Sequence, residues 1–205
     1  MEGISLMKLQ TQRTLHGFSL IIGCLLLPLL LSACDLGGSS ATPTPTPKPS
    51  PTPVFTTYKG DGYSIGYPQG WTAKGSGNLV TFSDALGLTA FIVEEIPNPN
   101  GTIPAASAIN GGLNGFQGQG KNYQKVDVAP TVTLNGETWN QGAATADTTN
   151  SGQTANIKLF ILSNNHPANS LNTKTFTLIY STTTTGFDLV DKEDFQPMLQ
   201  SFKFA

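Results

Sequence analysis

Val126–Thr145 reads VDVAPTVTLNGETWNQGAAT, and this stretch decides the fold class of the chain. At its centre Asn135-Gly136 is the strongest short-range hairpin signal, because both residues tolerate the positive φ of a type I′ turn. The flanking segments Val126–Leu134 and Glu137–Thr145 are therefore predicted to be paired antiparallel strands.

Five further strands are predicted from alternating apolar residues and β-branched content. They are Tyr63–Tyr67, Leu79–Ser83, Leu88–Ile96, Thr154–Leu162 and Thr175–Thr182. Asp84–Gly87 supplies turn residues for a hairpin between the second and the third of these strands. Thr154–Leu162 carries apolar residues on both faces, which predicts a central strand covered on both sides.

Two segments have the apolar spacing of a helix. The first is Pro104–Phe116, in which each glycine weakens a helix by about 1 kcal/mol relative to alanine. Its apolar positions are Ile109, Leu113 and Phe116. The second is Phe195–Phe202, with Asp194 as its N-cap and Pro197 in its first turn. The folded part is thus predicted to contain many strands and little helix.

Charge argues against nucleic acid as a partner. The 205-residue chain has 11 Lys and Arg against 13 Asp and Glu. Lys8, Arg13 and Glu2 lie in the first 33 residues, so the rest of the chain has nine lysines, no arginine and twelve acidic residues, a net charge of −3. Arginine makes the commonest specific contacts to bases and phosphates. No polybasic membrane patch is present in the sequence either.

The first 33 residues have the layout of a secretory signal peptide. Lys8 and Arg13 give a positive start, and Phe18–Leu31 follows with 14 residues and no charge. A membrane-spanning helix needs about 17–25 apolar residues. Because Phe18–Leu31 is shorter and contains Pro28, residues 1–33 are predicted to be a cleaved signal peptide, with an uncleaved signal anchor as the alternative.

Leu31-Ser32-Ala33-Cys34 resembles the lipobox of bacterial lipoproteins. The resemblance implies that a signal peptidase recognises Leu31, Ser32 and Ala33, that cleavage precedes Cys34, and that Cys34 is lipidated on its thiol and acylated on its freed amine. Two or more acyl chains give stable anchoring, whereas one chain binds marginally. Cys24 is lost with the signal peptide, so lipidation uses the single cysteine of the mature chain. We expect a lipid-anchored protein on the extracytoplasmic face of the cell membrane.

Residues 34–57 are predicted to be a disordered linker. Within it Ala41–Pro53 (ATPTPTPKPSPTP) alternates Pro with Thr, Ser or Lys. This composition favours extended polyproline II at about 3.1 Å per residue, which gives a semi-rigid stalk of roughly 40 Å. A proline-rich ligand for a recognition domain is the alternative. Residues 58–205 are predicted to form one domain of ordinary size.

Gly62–Trp71 (GYSIGYPQGW) resembles the start of PsbP-like domains, which have an aromatic strand, a Tyr-Pro, a Gly and a Trp. The C-terminal end resembles the family's closing Phe, apolar pair and Ser-Phe. Those residues are Phe195, Met198-Leu199 and Ser201-Phe202. The resemblance implies an α+β fold in which an antiparallel sheet is covered by helices, an α-β-α sandwich. It also implies binding and assembly rather than catalysis, and no site residue matches by motif.

A serine hydrolase is the third hypothesis for function. Gly62–Gly66 fits the pattern G-x-S-x-G, and His166 follows in an order that a Ser-Asp-His triad allows. The nucleophile elbow, however, needs a strand before the serine and a helix after it. Here the motif lies within a predicted strand, and His166 lies in a turn-like sequence. Ser64 is therefore predicted to be an outward polar residue.

Neither a cofactor nor a metal site is predicted. Asn110–Gly120 is rich in glycine, but Asn122 stands where a phosphate loop needs Ser or Thr, so a helix end and loop are predicted there. An acidic group near the C-terminus lacks the EF-hand pattern and suits a helix start. Its members are Asp188, Asp191, Glu193 and Asp194. Glu94-Glu95 points to opposite faces of a strand and forms no local dyad.

The leading hypothesis is a non-catalytic module that contacts membrane lipid through acylated Cys34 and binds a protein partner or helps to assemble an envelope complex. The alternative is a small-molecule or solute-binding surface domain. An apolar pocket lined by Trp71 or Trp139 would favour the alternative. A flat sheet face with exposed aromatic residues would favour the protein partner.

Overall fold

The computed structural model of the protein describes residues 54–150 and 152–205. The predicted signal peptide at residues 1–33, the predicted lipidation site Cys34 and the proline-rich tract up to Pro53 lie outside the described residues. The strands, in chain order, are β1 Phe55–Lys59, β2 Tyr63–Pro68, β3 Thr72–Ser76, β4 Leu79–Ser83, β5 Ala90–Pro97, β6 Lys121–Val126, β7 Thr131–Leu134, β8 Glu137–Asn150, β9 Gln153–His166, β10 Lys174–Thr183 and β11 Lys203–Phe204. The helical segments are a 3₁₀ turn at Pro99–Gly101, α1 Ala106–Gln119, α2 Phe187–Val190, a π-helical turn at Asp191–Phe195, and α3 Gln196–Ser201.

The larger of two antiparallel sheets has eight strands in the order β3-β4-β5-β10-β9-β8-β6, and β7 also pairs with β8. Its middle strands are covered on both faces, since Leu178 of β10 and Ile161 of β9 are fully buried. The prediction that Thr154–Leu162 is a central, doubly covered strand is therefore confirmed, although β9 is longer at both ends.

The hairpin predicted at Asn135-Gly136 joins β7 to β8. Asn135 and Gly136 have φ values of 51° and 84°, as a type I′ turn requires, and Leu134 pairs with Glu137. The predicted first strand, Val126–Leu134, is wrong in one respect, because it is split into β6 and β7. Pro130 precedes β7 and has no N–H with which to continue the ladder.

Helix α1 lies across β8, β9 and β10 on one face of the large sheet. Its buried residues are Ile109, Leu113 and Phe116, as predicted. They pack against Ala144, Ala146, Leu159, Ile161 and Ile179. The helix continues to Gln119, so the glycine-rich segment that was predicted as a helix end and loop is mostly helical.

The opposite face of the large sheet is covered by a three-stranded sheet of order β1-β2-β11 and by the helical segments of residues 187–201. The core on this side is dominated by aromatic rings. Its fully buried aromatic residues are Tyr63, Phe82, Phe91, Trp139, Phe176, Tyr180, Phe187, Phe195 and Phe202. The predicted α+β class, an antiparallel sheet with helical cover on both faces, is confirmed, and the small second sheet is an addition that the sequence did not predict.

The C-terminal helical region begins earlier than predicted. It starts at Phe187 rather than at Phe195, so Asp194 lies inside a π-helical turn and does not cap a helix. The backbone N–H of Gln196 bonds to the carbonyl of Asp191, five residues earlier. A proline inside an α-helix clashes with the carbonyl four residues before it, and a π turn relieves that crowding. Pro197 therefore sits in a continuous helical region instead of marking its start.

No helix within residues 54–150 and 152–205 combines the length and the apolar character that crossing a membrane would need.

Candidate binding cleft

A cleft of about 470 Å³ opens between the β7–β8 hairpin and the C-terminal segment that follows α3. Its lining residues are Leu134, Asn135, Glu137, Trp139, His166, Phe202, Lys203, Phe204 and Ala205. We call it the His166 cleft. Because β11 pairs with β2 of the small sheet while β8 belongs to the large sheet, the cleft lies on a seam between two independently hydrogen-bonded elements.

Parallel aromatic rings form one wall of the His166 cleft. The imidazole of His166 stacks on the ring of Phe204, with centroids 3.7 Å apart and planes within 2°. The Phe204 ring is also parallel to the Trp139 ring, with centroids 5.8 Å apart and an angle of 1° between the planes. Such rings give a rigid, amphipathic contact surface at low entropic cost, which is why aromatic residues dominate binding hot spots.

Both signs of charge occur at the rim of the cleft. Glu137 Oε1 lies 3.6 Å from His166 Nδ1, and both side chains are partly exposed, at 46% and 31%. Lys203 is exposed on the other rim. Trp139 is only 1% exposed, and its indole N–H has no acceptor among the described residues. The cleft therefore offers both signs of charge beside an aromatic wall.

The hairpin tip is fixed to the end of α3. Asn135 Nδ2 donates to the carbonyl of Phe202 at 2.5 Å and to that of Leu199 at 3.4 Å. Leu199 lies in the last turn of α3 and Phe202 directly follows the helix, where carbonyls lack the full set of partners that a continuing helix would supply. Asn135 thus takes part in the hairpin turn through its backbone and binds the helix end through its side chain.

Ser64 and His166 are not assembled into a triad. Ser64 is half-buried in the middle of β2, between the buried residues Tyr63 and Ile65, and the strand runs on to Pro68 without a helix. His166 is the last residue of β9, and its charged neighbour is Glu137. The predicted role of Ser64 as a polar strand residue is confirmed.

The other residues singled out from the sequence lie in the sheet or pack in the core. No group of three or more His, Cys, Asp or Glu residues within the described part of the chain could hold a metal ion. Glu94 and Glu95 lie on opposite faces of β5, as predicted, and Glu95 is buried. Burial raises the pKa of Glu94. Trp71 packs edge-on against Phe195 in the aromatic core.

A cluster of three charged residues, of which Glu95 is buried, joins the small sheet to the large one. Lys174 Nζ lies 2.7 Å from Asp61 Oδ2 and 3.3 Å from Glu95 Oε1. Glu95 is 4% exposed, and its second oxygen and the Tyr63 hydroxyl have no partner among the described residues. Burial raises the pKa of Glu95, although Lys174 opposes that shift, and the hydrogen bond from Lys174 lowers the pKa of Asp61. We call these residues the Lys174 cluster.

Three residues that line the cleft were not predicted from the sequence: Glu137, Lys203 and Phe204. Glu137 follows the hairpin turn, and Phe204 sits near the end of the chain, so no local motif links them. The composition around His166 suggested a turn, whereas His166 is the last residue of β9.

No protein-family model matches the chain, and no curated protein matches it. Three solved structures illustrate its similarities. LpqN of Mycobacterium tuberculosis, involved in cell envelope biogenesis, is 10% identical with a TM-score of 0.48, over 74% of this chain and 91% of LpqN. The Ran-binding protein Mog1p of Saccharomyces cerevisiae is 10% identical with a TM-score of 0.45, over 74% and 96% of the two chains. A Bacteroides thetaiotaomicron chain is 12% identical with a TM-score of 0.43; the match spans 70% of this chain but less than half, 45%, of that one. With scores below 0.5, these likenesses say nothing about shared function.

Proposed function

We propose that the protein is an extracytoplasmic module, anchored to the cell membrane by lipid on Cys34, that binds a protein partner and has no catalysis of its own. The anchor is supported by Leu31-Ser32-Ala33-Cys34 at the end of a short apolar run. A proline tract follows, and the first strand begins at Phe55, soon after that tract. Anchor, spacer and folded module thus succeed one another along the chain.

One observation carries the binding part: the His166 cleft brings a stacked wall of Trp139, Phe204 and His166 together with Glu137 and Lys203. Aromatic anchors surrounded by a charged rim are the usual anatomy of a protein-binding surface. The open cleft accepts a protruding side chain of a partner, and the rim charges select its orientation.

The anchor is tested by mass spectrometry of the mature N-terminus. We expect a chain that begins at an acylated Cys34, and we expect Cys34→Ser to move the protein from the membrane fraction to the soluble fraction. An unmodified Cys34, or retention of residues 1–33, would contradict the anchor.

Partner binding is tested by site-specific photo-crosslinking in the native host, followed by mass spectrometry. A photoreactive residue in place of exposed Lys203 lies at the cleft, and one in place of exposed Lys74 on the edge strand β3 is the matched control. We expect a reproducible protein adduct from position 203 and none from position 74. The same adducts from both positions, or none from position 203, would reject the proposed site.

A small-molecule ligand is the second candidate function for this cleft. A pocket lined by Trp139 is the feature that was expected to favour it, but Glu137, His166 and Lys203 also line this cleft, so it is not apolar throughout and the protein partner is placed first. The observation in its favour is that Trp139 lines the cleft with a buried indole N–H that lacks an acceptor. A ligand oxygen that accepts this hydrogen bond would shift the Trp139 fluorescence. Trp139→Phe removes that donor and serves as the control.

A further inference from the structure

A second cleft lies on the other side of the β7–β8 hairpin, between β7 and the C-terminal helical region. Its volume is about 290 Å³. Ligand pockets usually span about 300–1,000 Å³, so this one suits a small ligand. It shares Leu134 and Asn135 with the His166 cleft but none of that cleft's charged residues. We call it the amide cleft.

The floor of the amide cleft is apolar and rigid. It is made by Phe160, Leu162 and Tyr180 of the large sheet. The Phe160 ring stacks on Tyr180 at 5.4 Å and on Phe187 at 5.3 Å, which fixes its orientation. Phe160 is nevertheless only half-buried, so part of its ring remains available to a ligand.

The rim of the amide cleft is rich in hydrogen-bond acceptors. Gln196 Nε2 donates to both oxygens of Asp191 at 3.2 Å, and Gln141 Nε2 donates to the carbonyl of Ala129 at 2.7 Å. These bonds hold the side chains in place and use part of their donor capacity, since each amide has two N–H donors. The amide oxygens of Gln141 and Gln196 accept no hydrogen bond within the described residues, so they are free to act as acceptors for a ligand. Gln200 adds a further amide.

Among the residues that line the amide cleft, Asp191 carries the one charge. Burial raises the pKa of its carboxyl, while Gln196 and Lys158, which lies outside the lining, oppose that shift. Lys158 Nζ lies 4.4 Å from the centroid of the Phe187 ring and 5.6 Å from that of Phe160. Asp191 disfavours an anionic ligand, and Lys158 offsets part of the Asp191 charge and disfavours a cationic ligand over Phe160.

We propose that the amide cleft is a binding site for a neutral, hydroxyl-rich ligand with the size of a single sugar ring. The C–H face of such a ring packs on Phe160. Its hydroxyls donate to the Asp191 carboxylate and to the amide oxygens of Gln196 and Gln141. A ligand with several donors, no charge and one apolar face satisfies both the floor and the rim.

Saturation-transfer-difference NMR on the purified full chain, in a sugar-free detergent, tests this site. The probes are glucose, N-acetylglucosamine and myo-inositol, with glucuronate and glucosamine as charged counterparts. We expect saturable signals from at least one neutral probe and weaker binding of the charged ones. Asp191→Asn removes a charge-assisted acceptor and Phe160→Leu removes the stacking face, and each is expected to weaken binding about tenfold.

Glu193→Gln is the matched control, because it removes one carboxylate from the same helical region without touching the amide cleft. Circular dichroism establishes that each variant is folded. No saturable signal from any neutral probe, stronger binding of a charged probe, or a Glu193→Gln effect equal to that of Asp191→Asn would each overturn the proposal. The assay needs neither Cys34 nor a protein partner, so its outcome is separate from that of the proposed function.

Discussion

The two faces of the large sheet are covered in different ways. On one face a single helix, α1, lies close to the strands because the contact residues are small. A Cβ on Gly112 would come 2.5 Å from Ile161 Cδ1, and one on Gly142 would come 2.6 Å from Ile109 Cγ2. Both glycines therefore allow a close approach that a larger residue would prevent.

On the opposite face three separate elements share the cover: the small sheet, the C-terminal helical region and the tip of the β7–β8 hairpin. Large rings fill the space between them, and seams remain where the elements meet. Both the His166 cleft and the amide cleft lie on these seams, and Asn135 lines both. Composite cover thus leaves seams that can bind a ligand or partner, whereas α1 lies in direct contact with the strands beneath it.

The largest expected effect comes from truncating a ring on the composite face. Trp139 is 1% exposed and contacts both Phe202 and Phe204. Trp139→Ala should lower the free energy of unfolding by about 3–5 kcal/mol, because it removes buried apolar surface and leaves a cavity. Urea unfolding followed by circular dichroism measures this loss.

Trp139→Phe is the control for that variant, since it keeps an aromatic ring while it removes the unpartnered indole N–H and the part of the indole that exceeds a phenyl ring. A loss smaller than that of Trp139→Ala is expected, because less apolar surface is removed. An equal loss in both variants would show that the cleft wall depends on the indole itself and not on ring packing.

A smaller effect is expected at the Lys174 cluster, which closes one seam with charge. Lys174→Met leaves Glu95 buried without its cation. Breaking a buried pair costs about 3–5 kcal/mol, and because Lys174 is partly exposed we expect about 2–3 kcal/mol at pH 7. The measurement is again urea unfolding, repeated between pH 4 and pH 7.

The sign of the pH dependence follows from the raised pKa of Glu95. A carboxyl with a higher pKa in the folded state binds more protons when the protein is folded. Its contribution to stability therefore falls as the pH rises from the pKa of the unfolded state towards the pKa of the folded state. The loss in Lys174→Met should therefore shrink as the pH approaches 4, and Glu95→Gln added to Lys174→Met should remove most of it. A pH-independent loss would mean that the lysine acts through its hydrocarbon stem.

On the closely packed face a single methyl group should be felt. Gly112→Ala places its Cβ against Ile161 and should cost about 1–2 kcal/mol through overpacking. Gly111→Ala, one residue earlier on the open side of α1, meets nothing within 4 Å and should stabilise the protein by up to about 1 kcal/mol through helix propensity. The same response to both substitutions would contradict the close approach of α1.

Local patterns predicted two elements well, one on each face of the large sheet. The Asn135-Gly136 turn and the apolar positions of α1 both depend on near neighbours along the chain, so the sequence alone could specify them. The start of the C-terminal helical region was wrong because Pro197 and Asp194 look like a helix start, and only the packing of Phe187 extends the helix backward through a π turn.

The clefts could not be predicted in the same way. Glu137, His166 and Phe204 come together because β8, β9 and β11 end at the same seam, and this depends on how two sheets stack. Likewise the pairing of β5 with β10 brings Glu95 near Lys174, and the stacking of the small sheet on the large one adds Asp61. Strand order and sheet stacking are long-range properties that alternation and turn signals do not encode.

The smallest expected effect lies on the seam between the C-terminal helical region and the small sheet. Ser201 Oγ accepts a hydrogen bond from the backbone N–H of Gly66 at 2.7 Å and donates to the carbonyl of Met198 at 2.6 Å. Ser201→Ala leaves the part-buried N–H of Gly66 without an acceptor and should cost about 1 kcal/mol.

Ser201→Thr keeps the hydroxyl and is the matched control. The space around Ser201 is limited, because a Cβ on Gly66 would lie 3.2 Å from Ser201 Oγ, so the added methyl group fits closely. Hydrogen exchange at the Gly66 amide measures whether this bond holds the seam. Faster exchange in Ser201→Ala but not in Ser201→Thr would indicate that it does. Unchanged exchange in both variants would show that aromatic packing is enough to keep the small sheet docked.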